Sequence, residues 1–282
     1  MKIAISLEST CDLTKELIEQ FGFKIIPFHI TLGERTFVDG EITTEEMFDY
    51  VDKTGTLPKT NAINEFEYTE YFEGLKKECD AVVHISLSSG ISSSCSNAIR
   101  ASQNVENVFV VDSMSLSTGI SLLAMYAKEL VDAGLDAKTI VQKVQDRASK
   151  VQASFVLERL DYLHKGGRCN LFSLLGATIL KIRPRIVVKN GKMGSDKKHK
   201  GSIEKAVKKY CEGVIEDFNT PDLDKVFITY TTASEEMVET ARNAVKERGF
   251  KNIYETRAGG TIASHCGAHT LGILYFNDGE IK

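Results

Sequence analysis

Residues 85–98 read Ile85-Ser86-Leu87-Ser88-Ser89-Gly90-Ile91-Ser92-Ser93-Ser94-Cys95-Ser96-Asn97-Ala98. The run before them, Ala81-Val82-Val83-His84-Ile85, is short and apolar, the pattern of a strand buried on both faces of a parallel sheet. The run after them, Ala98 to Ser102, reads as helix. The serines therefore sit on a strand-to-helix turn at the carboxyl end of a strand, which is where open α/β sheets bind ligands. A helix N-terminus presents unpaired N–H groups and a partial positive charge, so such a turn suits a small anion. Gly90 lets the backbone approach closely, and the hydroxyls add donors. The plainer reading is that the serines only cap a helix, but there are more hydroxyls than one cap can use. No GxxxxGK[ST] is present, which argues against a P-loop.

The same alternation extends on both sides. Lys2 to Ser6 reads as a strand, and Glu8 to Thr14 as a second polar turn. Lys15 to Phe21 reads as helix, capped by Thr14 or Asp12 and stopped by Gly22. Lys24 to Leu32 reads as a strand interrupted at Pro27, which favours a sheet edge, and Gly33 to Gly40 as a hairpin. Thr43-Thr44-Glu45-Glu46 opens a helix with a capping box. Lys53 to Ile63 reads as a loop carrying Pro58-Lys59-Thr60-Asn61, and Asn64 caps the next helix with Glu67 three residues on. Asn107 to Val111 reads as strand, Ser117 to Val131 as a strongly apolar helix, and Asp136 to Lys150 as a more polar one. Strands alternating with helices predict a parallel α/β sheet for residues 1–150.

Beyond Lys150 the pattern changes. Strands are predicted at Ala153 to Leu157, Lys225 to Tyr230, Asn252 to Thr256 and Leu271 to Phe276. Helices are predicted at Glu158 to His164, Leu171 to Leu180, Ser202 to Phe218 and Ser234 to Arg248. Gly166-Gly167-Arg168 ends the first of these with a glycine able to turn left-handed. Asn190-Gly191, between Arg185 to Val188 and Lys192-Met193, marks a tight hairpin. Hairpins plus helices predict an α+β unit over residues 151–282. The fold class expected is thus α/β in two domains, with the boundary near Lys150.

Composition narrows the function. The chain has 282 residues, 42% of them hydrophobic, and a formal net charge of −4. That balance argues against general affinity for nucleic acid or an anionic membrane. The cysteines Cys11, Cys79, Cys95, Cys169, Cys211 and Cys266 are scattered and form no CxxC, so reduced thiols in a cytoplasmic protein are expected. The start lacks the apolar core of a signal peptide, and no run reaches the length of a membrane span.

Several segments in this order and spacing resemble the DegV family, lipid-binding proteins that serve bacterial fatty acid kinases. They are Pro58-Lys59-Thr60 before a helix, Ser88-Ser89-Gly90-Ile91-Ser92, Val111-Asp112-Ser113, Leu160 to Arg168, Pro184 to Met193 and His265-Cys266-Gly267. The resemblance runs nearly end to end. It implies two α/β domains with a long-chain fatty acid such as palmitate or oleate buried between them, and no catalysis by the chain itself. It also implies that hydroxyls matching Thr60 and Ser92 hold the carboxylate, with a histidine matching His265 beside them. An ATP-dependent fatty acid kinase subunit is the partner it implies, with transient membrane contact allowed and no cofactor beyond the bound acid. The sequence departs from the family pattern at Asn61-Ala62-Ile63-Asn64, at Ser93-Ser94, and at Ala268-His269, where the family often has Thr-Ser-x-Pro-Ser after Pro-Lys, Gly-Thr, and Gly-Pro-Gly.

The chemistry agrees with that expectation. Charge-assisted hydrogen bonds can hold a carboxylate without a full countercharge. Each buried CH₂ is worth about 0.8 kcal/mol, so the acyl tail should dominate affinity while the hydroxyls fix orientation. Apolar wall candidates are Ile26, Phe28, Ile30, Leu116, Leu122 and Ile273, any of which could instead be plain core.

Other readings remain at this stage. Ser92 and His265 could form a serine-nucleophile hydrolase or transferase with Asp112 behind, although no GxSxG elbow exists. His265-Cys266-x-x-His269 could hold a metal, but Gly267 interrupts the helix that would align the two histidines. The lysine run Lys192, Lys197, Lys198 and Lys200 reads as a solvated face rather than a nucleic-acid surface. With Arg168, Lys197 and Lys198 could dock an acidic partner surface.

Overall fold

The computed structural model describes residues 1–168 and 182–279. The predicted helix Leu171 to Leu180 lies outside the described residues, as does Cys169. Three sheets organise the rest. In the first, strands β1 (Ile3–Glu8), β2 (Lys24–Ile26), β6 (Ala81–Ser86) and β7 (Val108–Asp112) run parallel in the order β2-β1-β6-β7. All six residues of β6 are buried, as an apolar run in a doubly covered parallel strand requires.

A small antiparallel sheet in the order β4-β3-β5 comes from β3 (His29–Leu32), β4 (Arg35–Val38) and β5 (Lys59–Asn61). Pro27 thus divides one apolar run between two sheets, because it lacks the N–H a continuing ladder would need. Residues 59–61, expected as loop, form β5 because β3 offers them a free edge, with Ile30 opposite Thr60.

The third sheet has the order β10-β9-β8-β13-β11-β12. Its strands are β8 (Val151–Val156), β9 (Ile182–Lys189), β10 (Lys192–Lys200), β11 (Lys225–Tyr230), β12 (Asn252–Arg257) and β13 (Leu271–Phe276). All its pairings are antiparallel except β11–β12. Asn190 and Gly191, both at positive φ, make the two-residue turn between β9 and β10 that the sequence predicts.

Six of the ten helices described start at a side-chain cap. They are α1 (Lys15–Phe21), α2 (Thr44–Thr54), α3 (Glu65–Lys76), α4 (Ser94–Ser102), α5 (Thr118–Asp132), α6 (Ala137–Ala148) and α7 (Asp161–Lys165), then α8 (Ile203–Asp217), α9 (Glu235–Arg248) and α10 (Gly260–Cys266). Thr43 and Asn64 form full capping boxes with Glu46 and Glu67. Helix α5 packs on β1 and β6 and also on β8, β11 and β13. Nine of its residues are buried, which explains its apolar composition. Among the described residues no helix is long and apolar enough to cross a membrane, and Cys11, Cys79, Cys95, Cys211 and Cys266 are free thiols.

Candidate functional site

The serine turn leaves β6 at Ser86 and enters α4 at Ser94, four residues earlier than the apolar pattern alone suggested. A buried carboxylate underpins it. Glu8, fully buried at the end of β1, accepts hydrogen bonds from Ser86 Oγ (2.5 Å), Tyr68 OH (2.7 Å) and Leu87 N (2.7 Å). His84 Nε2 lies 3.5 Å from it. Burial alone would raise the Glu8 pKa; His84 and the hydroxyl donors outweigh that and hold it below the usual value. The turn is further pinned from the C-terminal half, where Ser88 Oγ donates to the Gly191 carbonyl at 2.7 Å. Gly90 is required there, since a Cβ on it would stand 2.4 Å from that same oxygen.

Thr60 arrives from the opposite side on β5, and His265 on α10. Thr60 Oγ1 and His265 Nε2 are 2.8 Å apart. Helix α10 escaped the sequence reading, since its N-terminal partners lie far away in the chain. Asp12 accepts from Gly259 N (2.7 Å), and Asp39 from Gly260 N (2.9 Å). Two carboxylates thus satisfy orphan N–H groups at the start of the helix. Burial pushes the Asp12 carboxyl well above its usual pKa, and nearby Asp39 adds to this. The helix ends at Gly267 (φ +76°), which a Cβ would drive into the Tyr162 ring.

Burial lowers the His265 pKa to about 4, and the charge of Arg168 contributes. The ring is therefore neutral near pH 7. Its Nδ1 is buried with no hydrogen-bond partner among the described residues, so the proton is better placed on Nε2. In that tautomer Nε2–H donates to Thr60 Oγ1 and leaves the Thr60 hydroxyl hydrogen free for an incoming acceptor.

Thr60, Ser92, His265 and Arg168 all line one narrow cavity of about 40 Å³, whose other walls include Phe28, Leu87, Leu116, Leu163 and Met193. Its walls are mostly apolar with a few converging polar groups, the make-up of a small-molecule site. A second, inner cavity of about 20 Å³, with Phe155 and Leu274 in its walls, shares Leu116, Ile262 and Cys266 with the first. On the outer side a groove shares Thr60, Arg168 and His265 with it. Thr60, Arg168 and His265 thus stand where the groove meets the cavity. Of the wall candidates, Phe28 and Leu116 line the cavity; Ile26, Ile30, Leu122 and Ile273 are buried core.

Arg168 Nη1 donates to the Gly166 carbonyl at 2.6 Å, and no carboxylate pairs with it among the described residues. Lys197 and Lys198 lie elsewhere, on β10. Both are exposed, and Lys197 pairs with Asp217 at 2.6 Å. His269 lies outside α10 with a positive φ, and no metal-ligand cluster occurs among the described residues. Asp112 accepts from Met114 N (2.9 Å) and Ser89 N (3.3 Å) instead of standing behind His265.

The profile of a family described as uncharacterised protein, DegV family, matches residues 2–278. The chain belongs to the DegV family. Bacillus subtilis DegV, described as a fatty acid binding protein, is 28% identical with a TM-score of 0.85, over 98% of this chain and 99% of its own. A fatty acid-binding protein of Thermotoga maritima is 28% identical over 282 residues, 96% of each chain. A DegV family protein from Thermus thermophilus, 24% identical, shares the fold with a TM-score of 0.88 over 98% of this chain and 99% of its own. The mixed α/β architecture is therefore that of the family, and fatty acid binding is a property of DegV family proteins.

Proposed function

We propose that this chain binds a long-chain fatty acid, with its carboxylate held by Thr60 and Ser92 beside His265 and its tail in the apolar interior. The observation that carries this is the meeting of Thr60, Ser92, His265 and Arg168 in one cavity that abuts a second, apolar one. Thr60 and Ser92 supply hydroxyl donors, neutral His265 orients Thr60, and Arg168 adds a cation that no carboxylate pairs with among the described residues. Fatty acid binding by relatives supports the same reading. The chain is taken as two units joined near Lys150, with the acid between them. Mass spectrometry of organic extracts of the purified protein should find a long acyl chain. Finding none, together with no uptake of added palmitate or oleate, defeats the proposal.

Presentation to an ATP-dependent kinase follows as the second step, with the partner forming the acyl phosphate. In support, Thr60, Arg168 and His265 border the outer groove, so a carboxylate beside them is reachable from outside. Arg168, Lys197 and Lys198 are the docking candidates for an acidic partner surface. Charge reversal at Lys197 and Lys198 should slow association at low salt; an unchanged rate removes them from that role. A hydrolase using Ser92 and His265 fits less well, because His265 Nε2 bonds Thr60 and no carboxylate orients the ring among the described residues.

A further inference from the structure

Thr261 is 3% exposed and lines the head-group cavity, yet its Oγ1 has no hydrogen-bond partner among the described residues. A threonine within a helix usually returns its hydroxyl to the carbonyl one turn back. Here the residue four back, Arg257, closes strand β12 and lies outside the helix. The backbone N–H of Thr261 is satisfied by Asp39 (3.4 Å), so the side chain alone is left over. A buried hydroxyl without a partner is costly.

Its distance from the head group is set along α10. Ser264 and His265, near the end of the helix, border the outer groove. Ala258, just before it, Ile262 and Cys266 border the inner cavity. Thr261 lines the same cavity as His265 one turn away along the helix, about 6 Å of helical rise and the length of roughly four or five carbon–carbon bonds of an extended chain.

We propose that Thr261 is a further ligand-binding residue, whose hydroxyl hydrogen-bonds an oxygen carried on the acyl chain a few carbons from the carboxyl. The site would then take a hydroxylated long-chain acid in preference to the plain one. This rests on the fatty acid reading above, and the test separates the two. Affinities of palmitate, 3-hydroxypalmitate, 5-hydroxypalmitate and 16-hydroxypalmitate are measured for the full chain, Thr261→Val and Thr261→Ser. The native chain should bind the 3- or 5-hydroxy acid about fivefold more tightly than palmitate. Thr261→Val should abolish that preference and Thr261→Ser keep it, while the 16-hydroxy acid gains in none. No preference in the native chain, or one that survives Thr261→Val, overturns the inference while leaving palmitate binding intact. A palmitate affinity that falls in Thr261→Val with the ratio unchanged also overturns it, by making Thr261 a head-group contact. Failure of all four acids to bind the native chain overturns both readings.

Discussion

Thr60 and His265, separated by 205 positions in the chain, face each other across 2.8 Å from Oγ1 to Nε2. One comes from the edge strand of the small sheet and the other from the short helix capped by Asp12 and Asp39. A single hydrogen bond therefore joins segments from the two ends of the sequence at the mouth of the cavity.

Thr60→Val keeps the shape of the side chain and removes that bond and the hydroxyl donor. A hydrogen bond to a charged group contributes about 1.5–3 kcal/mol, so fatty acid affinity should fall at least about tenfold by isothermal titration calorimetry. Ser92→Ala should weaken capture in the same direction. Unchanged affinity in both variants would remove the two hydroxyls from the head-group role.

Stability should depend on His265 in acid. Its folded pKa of about 4 lies below the ordinary value of 6.5, so between those limits the unfolded chain holds the extra proton. Stability contributed by the neutral ring is complete above pH 6.5 and is lost as pH falls towards 4, on the order of 1–3 kcal/mol. Chemical denaturation at pH 7 and pH 4.5 should show a drop that is smaller in His265→Gln. An equal drop in both proteins would assign the acid sensitivity to other groups.

Ile262 stands in the walls of both cavities. Ile262→Phe adds bulk at that junction and should exclude long acids while sparing short ones. Each methylene denied burial costs up to about 0.8 kcal/mol. Binding of octanoate and palmitate should therefore respond in opposite proportion: little change for the first, a loss of tenfold or more for the second. A uniform loss would instead mean general strain from overpacking.

Gly90→Ala places a methyl where the Gly191 carbonyl already sits, 2.4 Å from the new atom. The hairpin tip must retreat, and the Ser88–Gly191 hydrogen bond with it. A loss of about 1–3 kcal/mol is expected, read as a lowered melting temperature. Ala at the neighbouring exposed Ser89 should leave the melting temperature nearly unchanged.

Much of this architecture can be read from local chemistry. The serine turn, the capping boxes at Thr43 and Asn64, and the Asn190-Gly191 hairpin are each specified by residues a few positions apart. The resemblance also points to Thr60, Ser92 and His265, which the structure brings to one cavity. What could not be read depends on distant partners. Strand β5 exists because β3 lends it an edge, and α10 starts where Asp12 and Asp39 reach it across the fold. Glu8 looked like part of a polar surface turn, but is fully buried under Tyr68, Ser86 and His84. Arg168 gave no local sign of facing the cavity, because the bend that brings it there is set by Gly167 at φ +68° and by packing of Gly166 on His265.

On the proposed reading, the junction formed by Leu116, Ile262 and Cys266 would govern time as well as affinity. A tail threaded past Leu116, just ahead of α5, and two side chains of α10 could not slide out until those segments separate. Exchange of the cargo would then proceed at the pace of local breathing, and residence would outlast dilution, dialysis and column chromatography.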